Sequence, residues 1–269
     1  MKRAGKAATC ILLFLVLISA SAPLLPIPDP EQIDLDALRQ APSAGHLFGT
    51  DSKGRDIFSR VVFGGRISFS VAAVAAVTSA MVGFLAGLTA GYCGGKTDTV
   101  LMAAVDFILS FPSLLLAIAI SVVLPPGIYT AMIAIAFVGW TSFARIVRGQ
   151  VLTYKEMPFV EAARSLGCSH ARIAFLHIAP LCIPISLIMM GIKLGGFVLT
   201  EATLGFLGLG AQPPTPSWGS MVSANRAYIL SAPWMVFFPG MAIFATAFCC
   251  NLAGEFLKER SDLKQSLRD

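Results

Sequence analysis

The chain has 269 residues, of which 56% are hydrophobic and 13% charged, and its mean hydropathy is +0.76. A soluble domain carries roughly 25% charged residues, so this sequence lacks the polar surface to cover a water-soluble fold. That excludes an ordinary cytosolic enzyme, a disordered chain and a disulfide scaffold, and leaves an all-α polytopic membrane protein read by its apolar spans. The net charge of +5 is no nucleic-acid signature, because it follows from where Lys and Arg flank the apolar segments.

Six apolar segments lie near 8–25, 67–92, 100–124, 128–147, 176–207 and 234–257, against the ~20 residues that a bilayer core takes as a helix. The first ends in Ala20-Ser21-Ala22, which resembles a cleavage site. Pro23 follows directly, and five more spans come after it, so it is read as a retained helix. In the second, Gly83, Gly87 and Gly91 recur at i, i+4, a spacing that lets helix backbones approach closely. Ala90–Thr97 nearly spells a phosphate-binding loop, but it opens on Ala in place of Gly and follows an apolar helix instead of a strand. It reads as a turn. The fifth segment is longer than one crossing needs and carries Pro180, Pro184, Gly191, Gly195 and Gly196, which predicts a kink or an interfacial start.

With the amino terminus inside, 13 of the 20 Lys and Arg fall on the cytoplasmic side, 6 fall outside (Arg39, Lys53, Arg55, Arg60, Arg66 and Arg226), and Lys193 sits in a span. The excess favours cytoplasmic termini and puts 26–66 and 208–233 outside. The six cysteines form no CxxC pair and read as small apolar fillers. His46, His170 and His177 make no metal or catalytic pair, and GxSxG is absent. No catalytic residue and no metal ligand is assigned. Asp106, Lys193 and Glu201 are the ionisable residues inside spans. A charge at the bilayer centre costs at least about 2.5 kcal/mol, so all three are candidates for the translocation path. Lys193 and Glu201, eight apart, are expected to face a partner subunit or water.

Between the fourth and fifth segments, Pro158 suits a first helical turn and Gly167 suits the position past a helix end. Phe159, Ala162, Ala163 and Leu166 then fall at i, i+3, i+4 and i+7 on one face, with Glu161 and Arg164 off it. So short a helix needs a surface to rest on.

Glu161-Ala162-Ala163, then Gly167, then His177-Ile178-Ala179-Pro180 resembles the EAA loop of ABC importer permeases, although His177 and Ala179 replace two apolar residues of the usual ending. Gly49-Thr50-Asp51-Ser52-Lys53-Gly54-Arg55-Asp56-Ile57-Phe58-Ser59-Arg60 and the stretch from Leu204 through Gln212-Pro213-Pro214-Thr215-Pro216-Ser217-Trp218-Gly219 are similar to signatures of the second permease subunit of dipeptide, oligopeptide and nickel importers. The resemblance runs from about 45 to 257. It implies the type I importer permease fold in a bacterial inner membrane, with residues 1–66 as first helix and outward stretch. Residues 67–257 would be the five-helix core with its EAA loop at 153–177, and 258–269 a cytoplasmic tail.

It also implies a homologous permease partner, two ATP-binding subunits and an external solute-binding protein, with ATP and Mg held by the partners and no cofactor in this chain. Phe159, Glu161, Ala162, Ala163, Arg164, Leu166 and Gly167 would couple to the ATPase. Glu161 is expected to fix the helix through a charged hydrogen bond, to the ATPase or to Arg164. The competing reading is an ion-coupled secondary transporter working through Asp106, Lys193 and Glu201.

Overall fold

The structure, a computed structural model, describes residues 2–266, with side chains from Ala4 to Phe256 and at Glu259. The regular secondary structure of the described residues is helical apart from one isolated bridge between Thr50 and Asp56. The helices are α1 (Lys2–Ala20), α2 (Ile57–Cys93), α3 (Gly95–Leu109), α4 (Ser113–Val123), α5 (Ile128–Lys155) and α6 (Pro158–Ser165). A single turn, α7 (His170–Arg172), runs through a π-helical stretch (Ile173–Ile178) into α8 (Ala179–Phe206). Then come α9 (Trp218–Asn225) and α10 (Trp234–Ser266).

Close contacts fix the direction of each pass. A methyl at Gly83 would lie 2.5 Å from Phe143 Cβ, one at Gly87 would lie 2.9 Å from Val147 Cβ, and one at Gly91 2.8 Å from Val151 Cβ. The glycine seam is therefore where α2 and α5 touch, as its spacing requires. Residue numbers rise together along it, so the two helices are parallel. Parallel neighbours need the chain between them to travel back the full height of the bundle, and α3 with α4 makes that return despite an 88° bend.

The remaining passes follow in the same way. Ile173, Ile178 and Cys182 share a core with Val147, Val151 and Val160, whereas Leu204 at the far end of α8 packs with Val71 and Trp218. Gly195 meets Cys250 and Gly254 meets Ile192, so α10 returns antiparallel to α8. Gly5 meets Phe256 and Ser19 meets Gly65, which sets α1 along the same axis. The start of α1 therefore lies at the end of the bundle that carries α6.

The expected spans need correction in three places. The second helix begins at Ile57, ten residues before the expected 67, because the Asp56 carboxylate accepts a hydrogen bond from Ser59 N (2.8 Å) and caps it there. The third is no continuous helix. Pro112 has no amide hydrogen and drives Phe111 out of the helical region, so the chain bends between Leu109 and Ser113. The first is a shorter apolar helix, Ala4–Ala20. Four helices are long and apolar enough to cross a membrane, or five if the bent pair is one span. The kink expected near Pro180 takes the form of the π-helical stretch ending at Ile178, which widens the turn before the proline. The tail cations Lys258, Arg260, Lys264 and Arg268 lie outside the described side chains.

Candidate functional site

At the end of the bundle opposite α6, the signature around Asp51 folds into a knot. Asp51 is 1% exposed. Its carboxylate accepts from Lys53 N (2.8 Å), Arg55 N (3.1 Å) and Arg55 Nε (2.7 Å), and Arg60 Nε lies 3.7 Å away. Arg60 also donates to Pro30 O (2.6 Å), and Ser59 Oγ donates to Pro28 O. Gly54 has φ +74°, and a methyl there would overlap the Asp34 carbonyl at 1.6 Å, so the turn accepts glycine alone.

The second signature closes onto the same place. Ser217 caps α9, Trp218 is buried and its Nε1 donates to Val61 O (2.8 Å), and Trp234 Nε1 donates to Thr50 O (3.3 Å). Phe48 stacks on Phe238 with ring centroids 3.9 Å apart. These two signatures thus build one rigid end.

At the other end, α6 presents two apolar stripes. Val160 and Ala163 are buried in one apolar cluster with Leu88, Tyr92, Val147, Val151 and Ile173, and the helix rests on the π-helical stretch that leads into α8. Met157 and Phe159 are half exposed, Ala162 is exposed, and Leu166 is 84% exposed. The expected single face is therefore split. Ala163 turns inward with Val160, a residue the heptad spacing passed over, while Phe159, Ala162 and Leu166 point away from the chain. Gly167 takes φ +78°. Its N–H donates to Arg164 O (2.9 Å) and Cys168 N–H to Ala163 O (3.1 Å), the paired bonds of a Schellman C-cap. Glu161 and Arg164 are exposed and form no ion pair with each other among the described residues.

The three charged span residues separate. Asp106 is at the surface and pairs with Arg145 (2.5 Å). A second pair, Asp98 with Arg148 (2.5 and 2.6 Å), ties α3 to α5 beside it. Lys193 lines a cavity of about 280 Å³ bounded by Leu109, Ser113, Val138, Ser142, Phe197 and Thr200, and its Nζ donates to Ser142 Oγ (3.2 Å). Glu201 does not share that cavity. It is 1% exposed, beside the Ser68 and Ser217 hydroxyls, and its carboxyl oxygens close no hydrogen bond of ordinary geometry. Eight residues at about 100° each leave a net rotation of about 80°, which takes Glu201 off the Lys193 side.

The chain is thus an all-helical bundle, with four helices long and apolar enough to cross a membrane or five if the bent pair is one span, an amphipathic helix at one end and a polar cavity beside α8. Comparison with known proteins agrees. Residues 83–262 match the family described as the binding-protein-dependent transport system inner membrane component. The chain is 38% identical over 254 residues to the glutathione transport system permease protein GsiD of Pectobacterium atrosepticum, covering 94% of this chain and 84% of the relative. It is 42% identical over 249 residues to the dipeptide transport system permease protein DppC of Alkalihalophilus pseudofirmus, covering 93% and 82%. The probable D,D-dipeptide transport system permease protein DdpC of Escherichia coli is 39% identical over 254 residues, covering 94% and 85%.

Among solved structures, a chain of the MetNI methionine ABC transporter, in a study of its inward-facing conformations, superposes with a TM-score of 0.58 at 19% identity. The match covers 74% of this chain and 95% of that one, and shows the fold. The chain belongs to the binding-protein-dependent transport system inner membrane component family. It is a multi-pass inner-membrane permease subunit of an ABC importer and not an enzyme. Nothing in these relatives favours the ion-coupled alternative.

Proposed function

We propose that this permease imports short peptides, paired with a homologous permease, two ATP-binding subunits and an external solute-binding protein. Relatives named for dipeptides, D,D-dipeptides and glutathione favour peptides over nickel. In this reading α1, α2, α3 with α4, α5, α8 and α10 make six membrane crossings, with both termini and α6 in the cytoplasm; the parallel run of α2 and α5 supports counting α3 with α4 as a crossing. The observation that carries the reading is the two-sided α6: Val160 and Ala163 hold it to the bundle while Phe159, Ala162 and Leu166 are left for a partner.

ATP and its magnesium are bound by the partners. Closure of the ATPase pair moves α6, and because α6 rests on the π-helical stretch before α8 and shares one apolar cluster with α2 and α5, the bundle turns from inward-open to outward-open with it. Asp106, Lys193 and Glu201 take different parts: Lys193 faces the path, Asp106 locks α3 to α5, and Glu201 sits inside the outer scaffold. The test is co-expression with its permease and ATPase partners. Leu166→Glu should lower ATPase co-purification and dipeptide uptake at least tenfold while the permease pair still assembles. Uptake at the unaltered level would refute coupling through α6.

A further inference from the structure

Lys193 is the fifteenth residue of the 28-residue α8, at the middle of an apolar span. A charge at that depth is costly and persists where it has a partner or a task. Its one described partner is the neutral Ser142 hydroxyl at 3.2 Å. The acidic groups nearest in the fold are committed or remote: Asp106 is paired with Arg145, Asp98 with Arg148, and Glu201 is enclosed beside Ser68 and Ser217. An ammonium carries three donors and no acceptor, so two of its N–H bonds are unspent.

The walls around it continue the theme. Ser142 and Ser113 donate to no group among the described residues, whereas Thr141 and Thr200 spend their hydroxyl hydrogens on Val138 O and Gly196 O of their own helices. Donors converge and no carboxylate answers them. The cavity, about 280 Å³, lies just below the ~300–1,000 Å³ of pockets that enclose whole small molecules, which fits one end of a short solute. Leu109 and Ser113, the two residues flanking the break between α3 and α4, also line the cavity. Irregular backbone at membrane depth is tolerated where it lines a cavity of this kind.

We propose that the Lys193 cavity is a carboxylate-binding station on the path: the ammonium, with the Ser142 and Ser113 hydroxyls, takes the terminal carboxylate of the passing peptide. This rests on the reading of the chain as a peptide importer's permease. The test uses the complete transporter in proteoliposomes, with labelled dialanine and its carboxy-terminal amide, each at a concentration that loads the binding protein.

Lys193→Gln should lower uptake of the acid at least tenfold and leave uptake of the amide within twofold. Lys193→Arg should keep the acid within threefold, and Ser142→Ala should lower the acid alone by two- to fivefold. Equal loss of both forms, or no loss of either, overturns the proposal. So does loss of the second permease from the purified Lys193→Gln complex, which would assign the amine to a carboxylate of that subunit. If the unaltered transporter takes up neither form, the peptide reading itself fails and the station falls with it.

Discussion

Gly167 is the residue on which the angle of α6 depends. Its φ of +78° lies where a side chain is strained, yet a methyl there would meet nothing within 4 Å, so the demand is conformational and not steric. Asn tolerates this region and β-branched residues do not. Gly167→Val should cost roughly 1–2 kcal/mol at this turn and abolish uptake and ATPase co-purification, while Gly167→Asn keeps both near normal. Equal behaviour of the two variants would show that the left-handed turn is dispensable. Glu201 supports a prediction of the opposite sign. Its carboxyl is enclosed without ordinary hydrogen bonds, and an unsatisfied buried polar group costs about 1–3 kcal/mol. Glu201→Leu should therefore raise the thermal midpoint of the purified permease. A lowered midpoint would show that Ser68 and Ser217 hold the carboxyl after all.

At the scale of elements, the two stripes of α6 should respond differently to the same change. Val160 is fully buried and Leu166 is 84% exposed. A carboxylate at Val160 has no partner in the cluster it enters, so Val160→Glu should yield little folded protein, whereas Leu166→Glu leaves the isolated permease as heat-stable as before. Circular dichroism melts of the detergent-purified chain separate them. The sequence made Gly167, the α2 glycine seam and the amphipathic character of α6 legible, because each depends on residue type at a fixed spacing.

Which stripe would face inward was not legible. Phe159, Ala162 and Leu166 form one apolar stripe and Val160 with Ala163 an adjacent one, and only the position of Leu88, Val151 and Ile173 decides between them. The break in α3 and α4 could be read from Pro112, yet hydropathy alone runs straight across it. Likewise the separation of Lys193 from Glu201 needed the rotation along α8, which residue count conceals.

The whole molecule is a bundle with two worked ends joined by α2. That helix has 37 residues, about 55 Å at 1.5 Å per residue, well beyond the ~30 Å of a bilayer core. One end carries the Asp51 knot, and Tyr92 at the other packs under α6, where Lys155 Nζ donates to Tyr92 O (2.8 Å). If α3 and α4 cross the membrane, Cys93 and α6 lie in the cytoplasm and Lys53 lies outside. If the bent pair instead re-entered and left on the side it came from, the chain would have one crossing fewer, and α5 would deliver α6 to the side opposite Cys93. The parallel packing of α2 and α5 supports the first arrangement. Cys93 is exposed, and so is Lys53, so each can be probed with a membrane-impermeant maleimide. In a background with the other cysteines replaced, Cys93 and a cysteine at Ser165 should both label in inside-out vesicles and neither in right-side-out ones, and Lys53→Cys should show the reverse. Labelling of Cys93 and residue 165 from opposite faces would break the six-crossing arrangement, and with it the placement of α6 on the ATPase side.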